Sequence, residues 1–519
     1  MQQAPLPVES KTQSLTVLLL ACILLPPAGL VLLWRRGDIE TGKKMFGSLG
    51  TVILMGAYAY LFFGPSLFMG GSAEDHYAEL ERHRAKQHAD SPQPQASTSS
   101  EAQNSESANA NSAVEANTPA PVAAAASSPA KLVRNYWTDF RGPSRDGRYD
   151  EAEINTRWPS SGLPRLWQQP IGGGYASFVV AEGRAFTIEQ RRSQEVVAAY
   201  DVESGRELWT HEYAAEFRES AGGDGPRATP TWHDGRIYSL GAQGDLRCLE
   251  SKTGKLVWSK NILADNGAQN LQWGMAASPL IVDDKVIVLP GGSPGKSIVA
   301  YNRLTGARVW STLNDRTAYT SPMLVKLAGK RQILVATSSR VVGLTPEDGS
   351  MLWQFPWDVS YGVSAAQPVI VNENRFIISG GYGKGSALVE VTPGGQGYEA
   401  RKLWENITMK NKFNSSVLHN GFLYGLDEGI LTCVDVETGE RKWKDGRYGY
   451  GQVLLAKGHL IVITEEGELA LVKATPDKYE ELAKFEAIEG KTWNNPAIAG
   501  GRLLVRNQTQ MACFDLSGR

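Results

Sequence analysis

Cysteine and histidine are the residues whose reactive or metal-binding patterns are easiest to recognise from spacing. The four cysteines lie far apart, without a CxxC motif or an adjacent pair; they are Cys22, Cys248, Cys433 and Cys513. A zinc site or a disulfide framework needs closely spaced or regularly paired cysteines. The spacing of the cysteines therefore predicts neither a zinc site nor a disulfide framework.

Three histidines, His76, His83 and His88, lie close enough together in the sequence to suggest metal binding. No i, i+4 pattern unites all three, so we interpret them as part of a solvated helix face. Residues 70–90 carry acidic residues early and basic residues late, which suits a helix dipole. We predict a juxtamembrane helix over this segment.

Charge and composition narrow the class of protein. Fifty-three Lys and Arg residues against 55 Asp and Glu residues give a formal charge of −2. No basic field for nucleic acid is present, so we exclude nucleic acid as a partner. The 54 Gly and 14 Trp residues are typical of β architectures built from repeated blades.

Two stretches near the N-terminus, residues 14–34 and 46–69, lack charged side chains. Each is long enough to cross about 30 Å of hydrocarbon as a helix. Four positive charges lie between them, on Arg35, Arg36, Lys43 and Lys44. By the positive-inside rule the loop is cytoplasmic, so we predict a multi-pass anchor in a bacterial inner membrane with all later residues in the periplasm.

The ends of this anchor follow from composition. Residues 1–13 form a short N-terminal segment, and a cleaved signal peptide is disfavoured because no A-x-A-like site follows Leu25. Pro26 and Pro27 predict a kink in the first span, or a re-entrant segment. Residues 91–130 are almost entirely Ser, Ala, Asn, Pro, Gln and Thr, which predicts a disordered linker that tethers a domain over residues 131–519.

That domain contains a repeated pattern, small-x-Asp-x-x-Thr-Gly-x-x-x-Trp. It is clearest in Ala199-Tyr-Asp-Val-Glu-Ser-Gly-Arg-Glu-Leu-Trp209 and in Cys248-Leu-Glu-Ser-Lys-Thr-Gly-Lys-Leu-Val-Trp258. Asp and Thr bond the turn backbone and Gly supplies a positive φ between two strands. Further copies lie at 300–310, 343–353, 389–404 and 433–443, and a degenerate one at 471–485.

A pair of short apolar strands precedes each pattern. Eight pairs occur, at residues 176–188, 228–240, 277–289, 320–337, 366–379, 414–426, 451–463 and 495–506. A four-stranded unit cannot bury both of its faces alone, so we predict an all-β, eight-bladed β-propeller. The last unit lacks its Trp strand, whereas Trp167 lies in a strand without a preceding blade, so these two should pair and close the ring.

The repeats resemble those of PQQ-like repeat propellers, a family that includes quinoprotein alcohol dehydrogenases and the outer-membrane assembly protein BamB. The segment Trp137-Thr-Asp-Phe-Arg-Gly-Pro-Ser-Arg-Asp-Gly147 also resembles the lead-in of many such proteins. The resemblance implies the fold but leaves two functions open, because the same blades serve enzymes and scaffolds.

The enzymatic alternative is a dehydrogenase that uses pyrroloquinoline quinone with calcium. In that branch the resemblance implies adjacent cysteines under the quinone, calcium ligands and a catalytic Asp. This sequence has no adjacent cysteines, and no carboxylate is assignable as the catalytic base. We therefore expect no catalytic residue, metal or cofactor, and favour a non-catalytic scaffold for protein partners in the periplasm.

In this family the innermost strand starts at the axis, so the residue two positions before each Ser, Thr, Gln or Asn that begins such a strand is expected at the channel mouth. Large residues at or beside these positions are our candidate binding residues: Tyr175, Arg227, Tyr319, Phe413, Tyr448 and Trp493. The competing interpretation is that these aromatics only fill gaps between blades.

Overall fold

The computed structural model describes residues 31, 33–35, 39–63, 70–89, 136–395 and 397–518. The chain forms two compact units, residues 1–79 and residues 80–519. The predicted linker, residues 91–130, and most of the predicted first span lie outside the described residues.

The first unit contains helix α1 (Thr41–Phe63), and helix α2 (Gly70–Ala89) begins in it. Trp34 donates its indole N–H to Ser48 Oγ of α1 at 2.9 Å. Helix α1 begins five residues before the second predicted span, so it includes Lys43 and Lys44. Within the described residues, no helix combines the length and the apolar character needed to cross a membrane.

The second unit contains eight antiparallel sheets of four strands each, one of which gains a fifth strand. The first strands of neighbouring blades contact one another, so they surround the central axis. Blades 1 and 2 comprise β3 (Val179–Ala181), β4 (Arg184–Arg191), β5 (Gln194–Asp201), β6 (Glu207–Ala214), β7 (Thr231–His233), β8 (Arg236–Leu240), β9 (Asp245–Glu250) and β10 (Leu256–Asn261).

The later blades repeat this order from the axis outward. Blades 3 and 4 comprise β11 (Leu280–Val282), β12 (Lys285–Val288), β13 (Ile298–Asn302), β14 (Arg308–Thr312), β15 (Met323–Leu327), β16 (Lys330–Ala336), β17 (Arg340–Leu344) and β18 (Met351–Pro356). Blades 5 and 6 comprise β19 (Val369–Ile370), β20 (Arg375–Gly380), β21 (Gly385–Gly394), β22 (Gly397–Asn406), β23 (Val417–His419), β24 (Phe422–Asp427), β25 (Ile430–Asp435) and β26 (Arg441–Arg447).

The last two blades draw on strands from the start of the domain. Blade 7 comprises β27 (Gln452–Ala456), β28 (His459–Ile463), β29 (Glu468–Lys473) and β30 (Glu481–Glu486), with β1 (Arg148–Tyr149) added in parallel to β27. Blade 8 comprises β31 (Ala497–Ala499), β32 (Arg502–Arg506), β33 (Gln510–Asp515) and, as its outer strand, β2 (Arg165–Pro170). The eight-bladed propeller is confirmed.

Ring closure occurs where the missing Trp strand predicted it. Strand β2 pairs antiparallel with β33, and Trp167 lies opposite Cys513. The same register places Trp258 opposite Cys248 and Trp443 opposite Cys433. These cysteines therefore occupy the position that Ala or Gly holds in three other blades, where a small side chain leaves room for the indole; in blade 5 the position is Leu388.

The repeated tryptophans join each blade to the next. Trp209 donates its indole N–H to the carbonyl of Ser251 in the following blade at 3.0 Å. The same bond recurs from Trp167 to Val202, Trp258 to Arg303, Trp310 to Pro346, Trp404 to Val436 and Trp443 to Thr475. Trp353 differs because it donates to Gln332 Oε1 of its own blade at 2.6 Å.

The lead-in segment, residues 137–147, fills the central channel; we call it the central plug. Arg145 donates to the carbonyls of Ser278 and Pro322, at 3.1 Å and 2.9 Å. On the opposite side of the axis, Arg141 donates to the carbonyls of Ser416 and Val453. Two buried guanidiniums thus satisfy inner-strand carbonyls of blades 3, 4, 6 and 7, a role that sequence reasoning missed.

The last ten residues of α2 belong to the same unit as the propeller and lie against β2, the strand that closes the ring. Arg84 is buried, and it donates to Gln169 Oε1 and to the Pro170 carbonyl of β2, both at 2.9 Å. Its Nε lies 3.3 Å from Glu207 of β6 in blade 1. The sequence predicts a solvated helix here, whereas this part bridges the first and last blades.

Candidate functional site: an aromatic cup at the channel mouth

The loops that lead into the inner strands surround a cavity of about 300 Å³ on one face of the propeller; we call it the cup. Phe140 of the central plug is among its lining residues, so the cavity ends on the plug inside the channel. The lining residues are Phe140, Tyr175, Ala221, Gly222, Arg227, Trp273, Ala276, Tyr319, Ser321, Val363, Ala365, Tyr382, Phe413, Trp493 and Asn495.

Five of the six candidate binding residues line this one cavity: Tyr175, Arg227, Tyr319, Phe413 and Trp493. Each of these five residues lies four positions before the first residue of an inner strand, at the face where that strand begins. The sixth, Tyr448, is not a lining residue. That these residues bind a ligand stays a prediction.

Tyr448 lies instead at the outer side of the junction between blades 6 and 7. Its side chain is buried, and its hydroxyl contacts Tyr479 at 2.7 Å and Glu481 at 2.5 Å. Burial, the Glu481 carboxylate and Tyr479 raise its pKa well above the ordinary value. Gly449, at a φ of +60°, turns the chain, so Tyr450 reaches the mouth and Tyr448 does not.

One wall of the cup is a continuous row of aromatic rings. Tyr175 and Trp493 stack with ring centroids 5.4 Å apart, and Trp493 contacts Phe413 at 4.5 Å. Phe413 contacts Tyr450 at 5.4 Å. Glu465 holds the wall in place, because it accepts from Trp493 Nε1 at 2.9 Å and from the Tyr450 amide at 3.0 Å.

Arg227 lies beside this row of rings, on the loop between β6 and β7. Its guanidinium lies over the rings of Tyr175 and Phe217, at 5.5 Å and 4.6 Å from their centroids. It donates to the carbonyls of Gly223 and Gly225, which fixes the loop. Burial lowers the pKa of Arg227, although Tyr175 and the loop carboxylates partly offset the loss of solvation.

Two lysines extend the positive charge around the rim. Lys491 lies 4.1 Å from the Trp493 ring centroid. Lys412 lies 4.2 Å from the Tyr450 ring centroid and donates to the Tyr450 hydroxyl at 2.8 Å. Such positions over aromatic faces are favourable for cations.

The opposite wall contains aromatics that sequence reasoning missed. Trp273 follows helix α3 (Ile262–Asn266), and its ring lies 5.7 Å from that of Tyr319. Tyr382, in the hairpin between β20 and β21, contacts Tyr361 at 5.8 Å. Tyr361 belongs to the 3-10 turn Ser360–Gly362 and is 87% exposed. Trp273 lies seven residues before inner strand β11, so finding it would need a search that extends seven residues ahead of each inner strand.

The cup lacks the carboxylates that would hold the calcium of the enzymatic alternative. Calcium needs several oxygen ligands, commonly carboxylates. No Asp or Glu is among the lining residues, and the part of the chain that the structure describes holds no group of three His, Cys, Asp or Glu side chains suited to a metal. The described cysteines are buried in separate blades, and burial raises the pKa of Cys433 and Cys513 to about 12.

Comparison with known proteins agrees with the repeats. The family model described as outer membrane protein assembly factor BamB matches residues 192–445. The chain is 22% identical over 317 residues to the outer membrane protein assembly factor BamB of Bordetella pertussis, which covers 58% of this chain and 73% of that protein. The resemblance to PQQ-like repeat propellers is confirmed.

The enzymatic branch of the PQQ-like repeat propellers also gives matches. Over 132 residues the chain is 30% identical to the 1-butanol dehydrogenase (cytochrome c) of Thauera butanivorans, which covers 25% of this chain but 17% of that protein. The structure of quinohemoprotein alcohol dehydrogenase ADHIIG from Pseudomonas putida HK5 has a TM-score of 0.51 at 13% identity, covering 74% of this chain and 81% of that one. At this identity the second match shows the shared fold alone.

Proposed function

We propose that this chain is a membrane-tethered periplasmic propeller that acts as a non-catalytic scaffold and binds protein partners at the cup. The observation that carries the proposal is the convergence of Tyr175, Arg227, Tyr319, Phe413 and Trp493 on one cavity. Trp, Tyr and Arg are the residue types that dominate binding energy at protein interfaces. The similar proteins named as outer membrane protein assembly factors support a scaffold.

Tethering rests on the sequence of the first 70 residues. Residues 14–34 and 46–69 lack charge and flank a basic segment. The proposal does not depend on a long flexible linker. Residues 80–89, which precede the predicted linker, already pack on the propeller, so the linker does not set the distance between these residues and the propeller. What the proposal requires is an anchored propeller whose cup faces the periplasm.

The topology is tested by thiol labelling in intact spheroplasts, in a chain with Cys22 replaced by Ser. A cysteine introduced at Ser99 should react with an impermeant reagent, whereas one introduced at Gly42 should be protected. The described native cysteines are buried and should give little background. Protection at position 99 with labelling at position 42 would reverse the orientation.

The binding site is tested by copurification from the native membrane. The mouth variant carries Tyr175→Ala, Arg227→Ala, Tyr319→Ala and Trp493→Ala. A matched variant removes four exposed apolar side chains from outer strands: Leu166→Ala, Val257→Ala, Val309→Ala and Leu482→Ala. We expect the folded mouth variant to lose partners that the matched variant keeps. If both variants keep every partner, the mouth aromatics only fill gaps between blades and do not form a binding site.

The dehydrogenase alternative is tested separately. We expect the purified chain, incubated with pyrroloquinoline quinone and calcium, to show no stoichiometric binding and no alcohol-dependent dye reduction. The reason is the missing carboxylate ligands in the cup. Tight binding of one quinone per chain would favour the enzyme instead.

A further inference from the structure

The cations around the cup make no direct ion pairs with carboxylates of the described residues. Ion pairs are frequent elsewhere on the propeller, for example Arg340 with Asp315 at 2.7 Å and Lys444 with Asp427 at 2.7 Å. Among the described residues, the contacts of Arg227, Lys412 and Lys491 are instead with aromatic rings, carbonyls and a hydroxyl, and none is within 4 Å of a carboxylate. Three cations thus share one rim without a partner.

The carboxylates nearest to the rim are already engaged. Both oxygens of Glu465 accept from groups of the aromatic wall, Trp493 Nε1 and the Tyr450 amide. Glu219 accepts from the Gly222 amide, and Asp224 accepts from the Glu219 amide. These neutral donors hold the carboxylates in the loops and do not remove their charge. None of the three carboxylates contacts Arg227, Lys412 or Lys491 directly, so each rim cation can pair with a carboxylate of a ligand.

The shape of the cavity limits how such a ligand enters. Phe140 and the central plug close the channel, because Arg141 and Arg145 tie the plug to inner strands on opposite sides of the axis. A chain cannot thread through the propeller. The cavity, about 300 Å³, has room for a few side chains of a loop or chain end that enters and leaves by the mouth.

Resting on the proposed function, we infer that the cup selects an acidic peptide segment of its protein partner. Apolar or aromatic side chains of the segment lie against the wall of Tyr175, Trp493 and Phe413. Its carboxylates lie at Arg227, Lys412 and Lys491. A loop or chain end that alternates acidic and aromatic residues satisfies both sets of contacts.

The experiment is calorimetric titration of the purified full-length chain with two capped peptides, acetyl-Glu-Tyr-Glu-Phe-Glu-amide and its analogue with Gln in place of Glu. We expect the acidic peptide to bind about tenfold more tightly than the neutral one, because opposite charges meet at a partly desolvated rim. Raising the salt concentration should weaken only the acidic peptide.

Variants assign the effect to the cup. The double variant Lys412→Gln, Lys491→Gln should lose most of the preference for the acidic peptide. Lys442→Gln, at an exposed lysine of β26 away from the cup, should keep it. The salt dependence of the wild type tests the same claim if the double variant folds poorly.

Other results overturn the inference in distinguishable ways. Equal affinity for both peptides, with both lost in the mouth variant, would leave a peptide site without charge selection, and the proposed function would stand. Binding of neither peptide overturns the inference, and the proposed function is then decided by copurification. If benzene-1,3,5-tricarboxylate binds in the cup and the acidic peptide does not, the occupant is a small anion and the inference is wrong.

Discussion

Two sets of aromatic side chains occupy this propeller, and they obey different rules. The tryptophans of the outer strands share one register, opposite Cys, Ala, Gly or Leu, and six of them donate to a turn carbonyl of the next blade. Most aromatics of the cup share only their place before an inner strand, whereas Tyr382 comes from a hairpin and Phe140 from the central plug. Their identities, neighbours and loop lengths differ from blade to blade.

The difference separates side chains that stabilise the ring from side chains that are available to bind a ligand. A contact repeated at nearly every junction stabilises the ring, because each blade must bury its face against the next. A position that recurs in several blades but carries a different type of residue in each does not make a repeated stabilising contact. Stability should therefore depend on the outer tryptophans, and recognition on the cup.

The largest effect is expected from opening the ring. Deleting residues 510–519 removes β33, to which both β2 and β32 are paired. Exposed strand edges should abolish the cooperative thermal transition or cause aggregation, as seen by circular dichroism and size-exclusion chromatography. An unchanged melting profile would mean that the ring is closed elsewhere.

A single outer tryptophan should come next. Trp310 is 8% exposed, so Trp310→Ala should lower the free energy of unfolding by about 3–5 kcal/mol. Tyr319→Ala, at the cup in the following blade, should cost about 1 kcal/mol. Equal losses in chemical denaturation would erase the distinction between the two sets.

The turn glycines sharpen the comparison further. Gly254 and Gly235 have φ values of +71° and +70°, but a Cβ at Gly254 would lie 2.5 Å from the Trp209 ring, whereas one at Gly235 meets nothing within 4 Å. Both alanine variants carry the backbone penalty, and Gly254→Ala should lose about 1–3 kcal/mol more. Equal melting temperatures would show that the tryptophan contact does not constrain the turn.

A further effect concerns pH on the face that carries the cup. Burial raises the pKa of Glu195 to about 7, and its carboxyl contacts the Tyr213 hydroxyl and the Ala242 amide. The folded state therefore binds the proton more tightly than the unfolded state, so the stabilisation is present below about pH 4.3 and is lost as the pH rises through 7.

Glu195→Gln mimics the protonated carboxyl and should remove this dependence. We expect the wild type to lose about 1–3 kcal/mol relative to the variant between pH 4 and pH 8. Thermal unfolding across that range measures it. Parallel curves for both proteins would contradict the assignment.

Repetition explains how much the sequence could predict. The turn residues, Gly and Trp at fixed spacing predict most of the blades, and the unpaired strand of Trp167 predicts the closure with β33, because these features serve contacts made at most junctions. The inner-strand starts likewise predict five residues of the cup. Tyr448 does not lie at the channel mouth as predicted, because the chain turns at Gly449 and places Tyr450 there instead.

The remaining features depend on contacts without a repeat. The central plug uses Arg141 and Arg145 once each, so no period reveals them. Trp273 and Tyr382 reach the cup from loops of unequal length. Arg84 is buried against Gln169 and Glu207, more than 80 residues away along the chain.

The most direct test of the cup as a recognition site is photo-crosslinking in living cells. A photoreactive amino acid at Tyr361, which is 87% exposed beside the cup, is compared with one at Val309, which is 45% exposed on an outer strand. We predict a discrete crosslinked protein from position 361, lost when Tyr175, Arg227, Tyr319 and Trp493 are replaced by Ala, and none from position 309. The same product from both positions, or a product from position 309 alone, would contradict the account.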